Sequence, residues 1–182
     1  MIALLVATTG DGRAEAAPGF RSTNLHGWST SVEPGEPFTD GLETLRPTGP
    51  VEIVDVRMDA DDGLRLLGAK LVEPGRPMGA VQHLYEYPPS AADTAEYFGS
   101  PSRVRDAVGA TITPRTAPGG TPDSWELLLG LEATRPGTLV RHSIVVTYRK
   151  DGRLGRFVIP GLLEVCAAEP MPARCPLPGV DG

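Results

Sequence analysis

Apolar and polar residues alternate most regularly between positions 125 and 166. Trp125, Leu127, Leu129, Leu131 and Ala133 take every second place, with Glu126, Gly130 and Glu132 between them. A second alternation ends at Lys150, and Asp151-Gly152 divides it from a third that begins at Arg153. An Asp-Gly pair between two alternating runs selects a two-residue hairpin turn with both central residues at positive φ. The turn fixes the register: Lys150 faces Arg153, Tyr148 faces Gly155, Val146 faces Phe157 and Ile144 faces Ile159, all on one side of the ribbon. That apolar side is assigned to a core, with Tyr148 covering the gap above Gly155. The other side carries Ser143, Thr147, Arg149 and Arg156 beside Val145, Leu154 and Val158, the composition of a partly wet face.

The same punctuation extends over most of the chain. Arg135-Pro136-Gly137-Thr138 fits a type II turn, with Pro second and Gly third. Pro160-Gly161 is expected to break the ladder because proline donates no hydrogen bond, with a short strand resuming over 162–166. Upstream, strands are predicted over 25–32, 39–45, 51–58 and 64–72, separated by Pro34-Gly35, by the Pro47 to Pro50 segment and by Asp61-Asp62-Gly63. Residues 74–106 interrupt the rhythm as one long loop insertion, in which Ser90 is placed to cap a short helix over 91–98. A strand re-enters over 108–113. The expectation is an all-β, immunoglobulin-like antiparallel β-sandwich of about seven to eight strands, spanning residues 23–166. Val72 to Pro77 echoes Val32 to Pro37 in turn chemistry, but the flanking residues differ, so no internal repeat is assigned.

Composition narrows the possibilities. The 182 residues carry a net charge of -6 and are 40% hydrophobic, enough for one core and without the basic footprint of a nucleic-acid binder. Lysines are scarce and arginines plentiful in a chain rich in Ala, Gly and Pro, a bias expected of high-GC bacterial coding. The apolar start, residues 2–7, lacks a preceding charge and is too short for a signal or a spanning helix. Two readings stand side by side: the tail end of a longer signal or anchor upstream of Met1, or a core-capping strand. Residues 8–22 are read as a polar tether. Cys166 and Cys175 bracket eight residues that include Pro170 and Pro172. A disulfide there would pin a proline-rich tail, residues 167–182, and would place the chain in an oxidising, extracytoplasmic compartment.

Chemistry-bearing motifs are sparse. His26, His83 and His142 stand at no metal-binding spacing. His142 falls on the apolar side of its strand, which reads as a hydrogen-bonded core or edge histidine. A blue-copper site would need a histidine between Cys166 and Met171, and none is there. Asp59, Asp61 and Asp62 suggest calcium, yet Gly63 comes one place early for an EF-hand and Lys70 sits where the bidentate Glu belongs, so a solvated turn is preferred. No nucleophile elbow, Walker loop or dinucleotide fingerprint occurs. No catalytic, cofactor-binding or metal-binding residue is assigned.

The chain resembles the immunoglobulin-like sandwich domains of small exported or membrane-anchored proteins from high-GC bacteria. The resemblance rests on Pro34-Gly35, on Gly49-Pro50 leading into Val51 to Val56, on Gly130-Leu131 followed by Thr134 to Gly137, on Val145 to Arg149 and on Leu163-Glu164-Val165-Cys166. It implies a sandwich fold and no catalytic residue. Three functions remain in view: binding of a protein or cell-envelope component, with Tyr85, Tyr87, Tyr97 and Phe98 of the insertion as the partner surface; carbohydrate binding through Trp28, Tyr85, Tyr87 and Tyr97; and hydrolysis at a dispersed triad. Aromatic residues make up only 5% of the chain, which disfavours the second.

Overall fold

The computed structural model describes residues 19–20, 26–75, 83–116, 122–172 and 175. The signal-like residues 2–7 lie outside the described residues, as do 76–82 of the insertion and residues 173–174 and 176–182 of the tail. Among the described residues, four strands come first: β1 (His26–Val32), β2 (Pro37–Leu45), β3 (Val51–Ala60) and β4 (Leu64–Val72). A long excursion then holds β5 (His83–Leu84), α1 (Ala91–Phe98), β6 (Val104–Asp106), β7 (Thr111–Ile112), β8 (Arg115–Thr116) and β9 (Pro122–Asp123). Three long strands follow: β10 (Trp125–Ala133), β11 (Gly137–Lys150) and β12 (Arg153–Ala167). Apart from α1 and one 3-10 turn, the described residues are all-β. Its two main sheets run β1-β12-β11-β3-β7 and β5-β2-β10-β4-β6. They pack on a shared core that includes Phe38, Leu45, Ile53, Leu127, Ile144 and Leu163.

The hairpin forms as its turn residues dictate. Asp151 and Gly152 adopt φ of 50° and 75°, and all four expected pairs, from Lys150 with Arg153 to Ile144 with Ile159, are present. A Cβ placed on Gly155 would come within 2.5 Å of Tyr148 Cζ, so the ring fills the space a side chain would take. Ile144, Val146, Tyr148 and Ile159 are buried and Phe157 packs against them. On the opposite side Leu154, Val158 and Leu162 stand exposed along β12.

Four expectations change. The ladder does not break at Pro160-Gly161: β12 runs unbroken for 15 residues. Pro160 is accommodated because it pairs with Ser143 next to a register shift in β11, and β1 joins the other side of β12 only from Gly161 onward. An irregular ladder position is where a strand tolerates a missing donor. The sandwich is also not wholly antiparallel, since β1 lies parallel to β12 from His26–Gly161 to Val32–Ala167. Parallel neighbours need no hairpin between them, so the chain carries no local signal for this pair.

The third change concerns only Gly19 and Phe20, the two residues of the expected tether that are described. Phe20 is buried at 2% exposure, stacked on Phe157 at 4.9 Å and edge-on to Tyr148 at 5.1 Å. Finally, the insertion folds back onto the outer face of its sheet. Phe98 of α1, Leu84, Val72 and Leu128 form a second buried cluster there, so β10 is covered on both faces. Ser90 caps α1 as expected, its Oγ accepting from the Asp93 N–H at 3.1 Å.

Candidate functional site

Two ladder irregularities decide where the charged side chains go. On β2, Asp40 pairs with Leu129 and Glu43 with Leu127, so one residue of β2 is extra. Residues three apart on a regular strand point to opposite faces, and the bulge turns both carboxylates inward. On β11, Arg141 pairs with Ala60 and Ser143 with Asp59, which leaves His142 as the extra residue against β3. Arg141 therefore points into the core. Its Nη2 lies 2.8 Å from Glu43 Oε1 and 3.2 Å from Asp40 Oδ2, with all three side chains at 0% exposure. The triad ties one sheet to the other and is closed to solvent.

His142 is displaced by the same slip. Alternation puts it on the apolar side, but it is exposed and its Nε2 lies 3.1 Å from Asp61 Oδ1. That contact, and the Val140 N–H at 3.0 Å, hold the Asp61 carboxyl below the ordinary carboxylate range. Among the described residues no serine, threonine or cysteine side chain hydrogen-bonds to this imidazole. The Asp59, Asp61 and Asp62 carboxylates do not converge. Asp62 instead lends its carbonyl to Arg135 Nε at 3.0 Å, fastening the β3–β4 turn to the β10–β11 turn. The one described convergence of metal-type ligands is Glu164, Cys166 and Cys175, and its two sulfurs are bonded to each other in a disulfide with Cα atoms 5.3 Å apart.

A pair of carboxyl groups with divergent titration sits at the start of α1. A hydrogen bond between Glu86 and Asp93 holds the first below its usual range and the second above it. Such splitting accompanies acid and base roles in active sites. Here both groups are tied to the cap, Glu86 Oε1 accepting from Ser90 N–H and Asp93 Oδ2 accepting from Ser90 Oγ.

The remaining candidate lies at the end of the sandwich where β1 turns into β2. Val32, Glu33, Glu36, Pro37, Phe38, Tyr85 and Met171 line a groove of about 260 Å³. Three remote segments build it. The Pro34-Gly35 turn is held by the Gly35 N–H donating to Ala133 at 2.8 Å. Tyr85 follows β5, and Met171 belongs to the tail that the Cys166–Cys175 bridge holds against the fold. Phe38 forms the buried floor, while Tyr85 at 70% exposure and Met171 at 39% form apolar walls.

Next to the groove, His83 stacks on Phe38 at 5.4 Å and meets Tyr85 edge-on at 4.4 Å. Its Nδ1 lies 3.2 Å from Thr30 Oγ1, linking β5 to β1 across the open side of the sandwich. Burial pulls its pKa from 6.5 down to about 4. The unfolded chain therefore binds this proton first as the pH falls, and the stability that neutral His83 contributes is complete above about 6.5 and lost toward 4. Between about pH 7 and 5, His83 is expected to account for roughly 1–2 kcal/mol of acid destabilisation, since each tenfold difference in proton affinity between the folded and unfolded chains is worth about 1.4 kcal/mol. The lower end allows for the solvent that reaches the ring. Urea midpoints of wild type and His83→Phe measured across this range test it; parallel pH profiles would refute it.

Of the residues expected to face a partner, Tyr85 alone stands open. Tyr87 lies over Gly68 and Gly130, where its ring takes the place of two side chains, and burial, with Asp106 nearby, raises its pKa to about 12. Tyr97 packs beside the second cluster, and Phe98 is fully buried, drawn in by the apolar face of α1. Trp28 is half-buried beside His83. Trp125 is core, as its place in the alternation implies, with Nε1 donating to the Thr113 carbonyl at 2.9 Å. The groove residues Glu33, Glu36, Phe38 and Met171 were not anticipated; the signals available were two glutamates flanking Pro34-Gly35 and a methionine inside the cysteine loop.

No protein-family model matches this chain. A comparison with curated protein sequences finds no match either. Among the described residues, no helix is long and apolar enough to cross a membrane.

Proposed function

We propose that this chain is a non-enzymatic, extracytoplasmic sandwich domain that binds another protein or a cell-envelope component. The observation that carries the reading is the groove: an exposed Tyr85 and a Met171 held in place by a disulfide present apolar surface beside a rigid buried floor. Interfaces concentrate their energy in such aromatic anchors set in pockets. A disulfide that pins a tail suits an oxidising compartment. Immunoglobulin-like topology is supported by the strand order. With β1 to β4 and β10 to β12 taken as seven successive strands, β2-β10-β4 and β3-β11-β12 reproduce the B-E-D and C-F-G arrangements, with the first strand moved beside the last. The insertion then occupies the connection between the fourth and fifth strands.

Immobilised wild-type protein is expected to retain an envelope component that Tyr85→Asp and Cys175→Ser do not. Equal retention by all three, or nothing above background, would count against the groove as the contact site.

A further inference from the structure

The groove is smaller than the roughly 300–1,000 Å³ of pockets that enclose drug-sized ligands. At about 260 Å³ it suits one or two side chains of a larger partner. Its charge is one-sided. Glu33 and Glu36 are both exposed at its rim, and none of the seven lining residues is basic. Beside these carboxylates stands the exposed ring of Tyr85, an aromatic surface that attracts a cation as well as an alkyl stem.

We propose that the groove receives an arginine or lysine side chain, flanked by apolar residues, from a peptide segment of a partner protein. This deepens the interaction reading and rests on it. The apolar stem lies against Val32, Phe38, Pro37 and Met171, and the charged head reaches Glu33 and Glu36. Arginine fits better than lysine, because its planar head pairs with carboxylates while stacking on an aromatic ring. The Cys166–Cys175 bridge contributes by holding the Met171 wall. The closed disulfide thus supports one wall of the binding surface.

The test uses the full chain in NMR titrations with three blocked pentapeptides, Ala-Val-Arg-Val-Ala and its analogues with Gln or Glu at the centre. The Arg peptide is expected to perturb the Tyr85 ring and Met171 methyl signals saturably and more weakly as salt rises. Glu33→Gln with Glu36→Gln should reduce its affinity roughly tenfold, the scale of two exposed ion pairs lost together. Cys175→Ser should weaken it as well. Equal binding of the Gln or Glu peptide overturns the cation assignment and leaves the groove as a contact site. No perturbation of Tyr85 or Met171 by any peptide overturns both readings. Arg174 lies outside the described residues and provides an internal control: a roughly tenfold gain of affinity in Arg174→Gln would show that the chain's own arginine fills the groove, and would overturn the partner assignment.

Discussion

Arg141→Met is expected to lower the unfolding free energy by about 3–5 kcal/mol, because it leaves two carboxylates in a dry interior without their shared cation. Arg141, Asp40 and Glu43 are all at 0% exposure and join strands of opposite sheets. Methionine keeps the stem of the side chain, so the loss reports on charge and not on a cavity. The triad is incompletely satisfied, since Arg141 Nε and Nη1 have no hydrogen-bond partner among the described residues. Replacing all three residues, by Arg141→Met, Asp40→Leu and Glu43→Leu, is therefore expected to restore most of the loss or exceed wild type. Urea unfolding of the two variants separates the cases. A single-variant cost below about 1 kcal/mol, the scale of a surface pair, would mean that the three groups are hydrated.

The same triad marks the limit of what periodicity discloses. Alternation located β10, β11 and β12, and the Asp151-Gly152 turn set a register that the folded hairpin keeps at every expected pair. Those signals are local: a turn type, a period of two, a glycine facing an aromatic. The bulge at His142 is not encoded in that period. An extra residue against β3 reverses the facing of everything upstream of it, so Arg141 went inside and His142 outside. A charged residue among alternating apolar ones is the only hint, and it points equally to an exposed edge. On β2 the acids Asp40 and Glu43, three apart, gave the same ambiguity.

Contacts between remote segments were less legible still. The parallel β1–β12 pair needs no turn, and nothing near His26 signals Gly161 as its neighbour. The groove joins Glu33, Tyr85 and Met171, which only the finished fold brings together. The cysteine pair was readable because spacing and tail composition both pointed to it, and the bridge forms. Within the insertion, composition correctly indicated a capped helix but not its direction of burial. The apolar residues Leu84 and Phe98 cover Leu128, the one leucine of β10 that breaks the alternation. Tyr85 was left outside.

Phe20→Ala is expected to cost about 3 kcal/mol or more, the range for truncating a buried aromatic. A polar tether would predict a change within about 0.5 kcal/mol, as for surface substitutions generally. The larger figure follows from how the segment docks. Phe20 pairs with Pro47 in an isolated bridge and packs against Tyr148 and Phe157. Gly19 donates its N–H to the Tyr148 hydroxyl at 2.8 Å and accepts from the Thr48 N–H at 2.9 Å. Tyr148 thus serves two partners with one side chain, its ring closing the Gly155 gap and its hydroxyl holding Gly19. Tyr148→Phe removes only the second role, and should cost about 1 kcal/mol in the wild-type background. In the Phe20→Ala background the docked segment is already loosened, so the same substitution should cost less. A double-mutant cycle measures that coupling directly. Strict additivity would show that Gly19 and Phe20 are not held as one unit.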